Sequence, residues 1–371
     1  MIDRVARFVG NGVRMRAAHG ARLRHQWSDF VALHRWLGVA LSEFYSYRMW
    51  DRQRSPHERA AYLTFADRRL VEAALNPLAL QKSLLDKLAI TARLQQAGIP
   101  VPSVVAGYST TALPPDPTWR ALHGEAGITE LAREAWPDGL VIKPIDGGGG
   151  RDVHVFRSVD SDGFRRIDGR CVSPRALASL LARRPGMRWK IERRIPPHPQ
   201  LNALNPDVLA TLRVMSFRRR DGSVLIGPVV WKIPLGRSGV DNFAQGSFAA
   251  PIESSSGTAG RMRRSGSEPE LAVHPETAFP IEGTRIPHWS LVDPLVRTAF
   301  EVLPGLHALG WDVAIAEAGP LIIEANPWWS AELLQVPHGR GMVQGDFAEY
   351  LLEFGLSDLV RRRRLAAERL A

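Results

Sequence analysis

The sequence predicts an α+β protein, with a helical N-terminal region ahead of a domain of short strands and interspersed helices. Up to about residue 80, aromatic and aliphatic residues (Phe30, Leu33, Leu37, Leu41, Phe44, Tyr45) recur at mixed three- and four-residue spacing, the period of an α-helix. Further on, short runs of branched and aliphatic residues such as Thr211–Phe217 and Val224–Ile233 flank turn residues, as strands do. Two of the strand-rich segments, 140–156 and 310–327, also carry polar residues whose chemistry is complementary.

In chain order, Ser55-Pro56 starts a helix, with a capping serine and proline in the first turn, and Asn76-Pro77 interrupts the helical pattern. Asp86–Ala97 reads as a helix stopped by Gly98 and followed by an extended Ile-Pro-Val-Pro entry. The stretch 107–139, rich in Pro, Gly and Trp, reads as a variable connection holding a short helix near Glu130. Leu140–Lys143 is a short buried strand, joined by a glycine loop to a second strand ending at Phe156. A helix at 174–184 and a strand from Trp189 follow, then a hairpin turning at Asp221-Gly222. Residues 254–270 form a polar loop, 291–309 a helix leading into the strand of Asp312, and 345–371 a helical tail with the run Arg361–Arg364. The expected organisation is an N-terminal helical region (1–85), a central domain (86–340, with halves 86–190 and 191–340) and a C-terminal helix with a basic tail (341–371).

Basic residues outnumber acidic ones, 48 to 38, and nearly all are arginine. Lysine occurs only at 82, 87, 143, 190 and 232, so a lysine directly before a glycine loop stands out. The arginine bias points to a GC-rich bacterial genome. No metal-finger spacing, helix-turn-helix or aromatic RNA-binding strand accompanies the positive charge, so nucleic acid is not an expected partner. The single cysteine, Cys171, rules out an intrachain disulfide and suits a reducing cytoplasm. No stretch approaches 18 apolar residues, so no membrane span is expected. The arginine-rich N-terminus leaves weak peripheral contact with an anionic membrane open.

The polar residues of the two segments make sense together. Lys143 and the glycines Gly147, Gly148, Gly149 and Gly150 suit polyphosphate, which glycine-rich backbone and one mobile cation hold. Glu324 and Asn326, two apart on a strand, face the same way, and Asp312 joins them if the neighbouring strand is in register. Such hard oxygen donors suit Mg²⁺ (or Mn²⁺) bridging phosphates, so the pair of segments points to ATP-dependent chemistry. Arg213 sits on an otherwise apolar strand, which suggests that it points into a cleft.

These residues, in this order, resemble the ATP-grasp superfamily, and most closely its sugar-transfer-associated branch, related to α-L-glutamate ligases. The closer match rests on Asn205-Pro, Thr211-Leu-Arg213, Gly239–Gly246, His274-Pro-Glu-Thr and Ile286-Pro-His-Trp. The resemblance implies two α+β subdomains clasping ATP. It gives phosphate contacts to Lys87 and Lys143 and a phosphate-covering loop to Asp146–Arg151. It makes Glu192, Arg193 and Ile195 the adenine hinge and Asp312, Glu324 and Asn326 the metal set. Arg213 and Lys232 would stabilise phosphoryl or acyl-phosphate charge, and Asp241 and Asn242 would either position substrate or form an Asx turn. Two departures stand out: Ser247 follows Gly246 where a second glycine is expected, and Lys232 replaces an expected arginine.

The expected activity is an ATP- and Mg-dependent ligase that makes an acyl phosphate from a small-molecule or peptide carboxylate and couples it to an amine or other nucleophile. A role in cell-surface polysaccharide or secondary-metabolite synthesis fits the branch. A small-molecule kinase and a non-catalytic nucleotide-binding partner of polysaccharide machinery remain the alternatives. The carboxylate would enter over a cationic wall of Arg213, Lys232 and Arg237 beside the Asp241–Gly246 loop, and Trp328-Trp329 would either stack on substrate or belong to the core.

Overall fold

The computed structural model describes residues 2–111, 113, 119–147, 150–184, 186–236, 243, 247–266 and 269–371, with side chains from residue 9 onward. The start of the chain folds as α1 (Ile2–His19), α2 (Leu23–Leu37), α3 (Leu41–Ser46), α4 (Pro56–Ala60), α5 (Phe65–Leu75) and α6 (Leu78–Ser83). Ser55 caps α4 by accepting from Glu58 N, with Pro56 in the first turn, and Asn76-Pro77 separates α5 from α6.

Next come α7 (Lys87–Gln96), β1 (Val104–Ser109), β2 (Arg120–His123), α8 (Gly124–Arg133), β3 (Leu140–Pro144), β4 (His154–Asp160), β5 (Gly163–Arg166), β6 (Cys171–Val172), α9 (Pro174–Ala182) and β7 (Arg188–Arg193). Their strands form one seven-stranded sheet in the order β2-β1-β7-β3-β4-β5-β6. Helices α8 and α9 cover one face, where Ile128, Leu131, Leu177 and Leu181 pack on Ile142, Phe156, Trp189 and Ile191. The region read as a connection, 107–139, thus contains the second half of β1 and all of β2. Its composition hid them. Gly107 is glycine because a Cβ there would lie 2.7 Å from the Trp119 ring.

The second sheet is built from β8 (Thr211–Arg218), β9 (Val224–Ile233), β10 (Phe248–Ile252), β11 (Ala308–Ala316) and β12 (Gly319–Asn326), in the order β10-β9-β8-β11-β12 and antiparallel throughout. Helix α10 (Trp289–Glu301) packs on one face through Val292, Val296 and Phe300. It ends eight residues before the expected boundary. Pro304 and Gly305, the latter at φ 78°, cannot continue it, and β11 has begun by Ala308.

Helices α11 (Ala331–His338), α12 (Gly345–Glu353) and α13 (Ser357–Leu370) complete the chain. They join the N-terminal helices in one core on the opposite face of the second sheet, against Met215, Phe217, Val230 and Ala308. The arginine run is not a free tail: Arg362 and the buried Arg363 both pair with the buried Asp67 of α5. Strand alternation puts Arg213 on the face of Met215 and Phe217, and Lys232 on the face of Val230. One end of this sheet face is therefore sealed by helices and the other carries polar side chains.

Candidate active site

A cleft of about 660 Å³ is lined by residues of both sheets, a size that suits a small-molecule ligand. Its first wall comes from β3 and β7. Antiparallel pairing sets Lys143 opposite Lys190, and Glu192 follows two residues later on the same face. Lys143 Nζ lies 2.6 Å from Glu192 Oε1, and Lys190 Nζ lies 2.7 Å from Oε2 while donating to Thr91 Oγ1 at 2.8 Å. Burial opposes the charge of Glu192, but Lys143 and Lys190 outweigh it and hold the carboxyl below its usual range. Burial pushes the Lys190 ammonium down to about 8, against the pull of Glu192. Lys143 and Glu192 line the cleft, and Lys190 supports them from behind.

The second wall comes from β8, β9 and β11. Asp312 pairs across the ladder with Arg213, which donates through Nε at 2.7 Å, and Lys232 Nζ reaches the other oxygen at 3.2 Å. Burial again disfavours the anion, yet Arg213 and Lys232 hold the Asp312 carboxyl at about 2. Gly310 makes room for this, since a Cβ would stand 3.0 Å from Arg213 Cδ.

Along the edge strand, Glu324 lies opposite Asp312 and Asn326 opposite Gly310, so Asp312, Glu324 and Asn326 share one face as alternation requires. Their oxygens are the hard donors that Mg²⁺ accepts. The Asn326 side-chain nitrogen is buried without a hydrogen-bond partner, which marks an amide left open to a ligand, and the oxygen takes that place when the amide is flipped. Glu324 and Asn326 therefore fit a metal, whereas both Asp312 oxygens face cations. Among the described residues, no three His, Cys, Asp or Glu side chains form a metal-ligating group.

Lys87 joins the walls. It begins α7, where the helix dipole disfavours a cation, and its ammonium donates to the Gly147 carbonyl and lies 3.4 Å from Glu324 Oε1. Gly147 and Gly150 line the cleft, as do Arg193 and Ile195. A Cβ at Gly147 would press on Pro144 at 2.8 Å, and Gly150 has φ 70°. Gly148, Gly149, Asp241, Asn242 and Arg237 lie outside the described residues. Asp146 does not line the cleft: its carboxylate takes two hydrogen bonds from Arg188, at 2.9 and 3.0 Å. Trp329 is fully buried in the core, whereas Trp328 is exposed and lines the cleft.

The remaining motifs hold loops. His274 accepts from Thr277 N and donates through Nε2 to the Pro234 carbonyl; Glu276 accepts from Gly236 N, and Asn205 donates to Gly236 O. Asn205-Pro and His274-Pro-Glu-Thr thus pin the turn that leads out of the Lys232 strand. Sequence reasoning missed the supporting Lys190 and the cleft residues Arg194, Ser265 and Glu332. The rarity of lysine was the available signal for the first.

Residues 67–347 match the family described as sugar-transfer associated ATP-grasp. The chain belongs to this family. No curated protein matches it. Among solved structures, this ATP-grasp protein is similar to the ADP complex of N5-carboxyaminoimidazole ribonucleotide synthetase (13% identity, 66% of this chain and 45% of that one, TM-score 0.36). It is also similar to the biotin carboxylase domain of Hydrogenobacter thermophilus 2-oxoglutarate carboxylase with MgADP (13%, 76% and 52%, 0.40) and to D-alanine–D-alanine ligase from Bacillus anthracis (13%, 79% and 72%, 0.38). The chain spans about half the length of the first two.

Proposed function

We propose that this ATP-grasp protein is an ATP- and Mg²⁺-dependent ligase that activates a carboxylate as an acyl phosphate and joins it to an amine. The observation that carries the reading is the meeting, at a single cleft, of Lys143 from one sheet and of Arg213 and Lys232 from the other with Glu324 and Asn326. Lys143, Lys87 and the glycine loop hold the phosphates, and the backbone at Arg193 and Ile195 receives the adenine. Glu324 and Asn326, with Asp312 beside them, hold Mg²⁺, which when bound neutralises phosphate charge. Arg213 and Lys232, held in place by Asp312, attract an anionic carboxylate toward an already negative nucleotide and stabilise charge on the transferring phosphoryl group. Positioning and electrostatics do the work, and no side chain forms a covalent intermediate.

Calorimetric titration of Mg-ATP into wild type and Lys143→Ala tests the nucleotide site: the variant binds at least about tenfold more weakly, as expected when a charged hydrogen bond is lost. Equal affinities would remove Lys143 from the site. Mass spectrometry of products formed with host metabolites then reads the chemistry. An amide with free phosphate supports the ligase, and a phosphorylated acceptor would replace it with a kinase.

A further inference from the structure

Among the described residues five carboxylates line the cleft, and four of them have a cation. Glu192 is held by Lys143 and Lys190, Asp312 by Arg213 and Lys232, Glu324 by Lys87, and Asp207 by Arg157. The fifth is Glu332. Among the described residues its carboxylate takes a hydrogen bond from Ser265 Oγ at 2.5 Å and no cation. In a chain of net charge +10, a cleft carboxylate that pairs with no cation among the described residues leaves local negative potential for a ligand to meet.

A second observation agrees. Trp328, 41% exposed, also lines the cleft, four residues before Glu332 in the chain and directly before the buried Trp329 that anchors it. An exposed indole and a carboxylate lining one cleft suit an alkylammonium, which combines charge with an apolar stem. The first turn of α11 favours an acidic residue through the helix dipole, but that role needs neither the cleft nor Trp328.

We propose that Glu332, Ser265 and Trp328 form the acceptor subsite of the cleft and bind the amine in its ammonium form. The inference rests on the ligase reading and names its second substrate as a cationic amine. In the coupling step, the amine nitrogen bonds to the acyl carbon, the acyl–phosphate bond breaks, phosphate leaves, and the two protons that the ammonium nitrogen loses in becoming an amide pass to the Glu332 carboxylate and the departing phosphate.

The test uses n-butylammonium as probe and n-butanol as its neutral counterpart, with the full chain labelled with 5-fluorotryptophan and holding Mg²⁺ and a non-hydrolysable ATP analogue. The Trp328 fluorine signal is assigned with Trp328→Phe. The expected result is a saturable shift with n-butylammonium, none with n-butanol, and at least about a tenfold weaker response in Glu332→Gln of unchanged melting temperature. Should Glu332→Gln lose folding, Ser265→Ala serves instead, with a smaller weakening. An equal response to n-butanol, no Trp328 response in wild type, or unaltered binding in the variant would overturn the proposal. Mg-ATP calorimetry on wild type separates the two readings: binding of nucleotide without a Trp328 response removes only the acceptor subsite, and absence of nucleotide binding removes the ligase reading.

Discussion

Each sheet presents one carboxylate held between two cations, and the two clusters are enclosed differently. In the seven-stranded sheet Lys190 is 1% exposed and out of reach of the cleft, so Glu192 is gripped from behind and passes that support to Lys143. In the five-stranded sheet Arg213, Lys232 and Asp312 all line the cleft. The first arrangement fixes a single lysine in place. The second holds two cations at the lining of the cleft, available to whatever it binds. A buried ion pair contributes little net stability, because desolvation offsets the attraction, so such clusters fit a requirement for charge at the site better than one for stability.

The largest expected effect breaks the comparison outright. Glu192→Ala strands two lysines, one without access to water, and should destabilise the fold by roughly 3–5 kcal/mol. Asp312→Ala leaves cations that open onto the cleft and should remove about 1–3 kcal/mol. Chemical denaturation of both variants measures this, and equal losses would mean that the clusters are equally enclosed. Next in size, Glu324→Gln and Asn326→Ala should lower ADP release at saturating Mg-ATP by about two orders of magnitude while changing nucleotide affinity much less, as loss of metal placement on the transferring phosphate requires. Unchanged turnover in both would remove the metal assignment.

Lys190→Met sharpens the difference within the first cluster. Glu192 then has Lys143 alone, which is drawn more tightly to it, and Mg-ATP affinity should fall by up to about tenfold although Lys190 never reaches the cleft. Calorimetry with the nucleotide is the check, and an unaltered Kd would make Lys190 a packing residue only. A smaller effect is in acid. Because the Asp312 carboxyl is held at about 2, below its ordinary 3.8, its contribution is present above the ordinary value and is lost as pH falls toward 2. Stability measured between pH 4 and 2 should therefore fall less steeply in Asp312→Asn than in wild type. The smallest effect separates the loop from the site: Asp146→Ala removes an exposed pair with Arg188, about 0.5 kcal/mol, and leaves ATP affinity unaltered in the same calorimetric assay.

Much of the site was legible because its signals are local. Alternation on one strand puts Glu324 and Asn326 on one face, and a lysine before a glycine loop has few other uses. Asp312 needed one further step, the register of a hairpin with its neighbour, and the ladder pairs it with Glu324. The strands β1 and β2 were not legible, because Gly107 and the surrounding prolines mask a strand whose partner, β7, lies some 80 residues away. The end of α10 was missed for a simpler reason: its apolar pattern continues past Pro304, and the backbone does not.

The sequence by itself determined the α+β class, the helical N-terminus, and a phosphate-suited loop and an oxygen-donor strand in the order of an ATP-grasp chain. Periodicity, capping and residue chemistry act over a few residues, so one chain suffices to read them. Only the tertiary structure decided what each charge meets. Arg213 and Asp312 are 99 residues apart in the chain, Lys143 and Glu192 belong to different strands, and Asp146 turns to Arg188 and away from the cleft. A charge is stabilised by whichever opposite charge the fold brings within a few ångströms, and that distance is fixed by strand register and sheet packing, which no local pattern encodes.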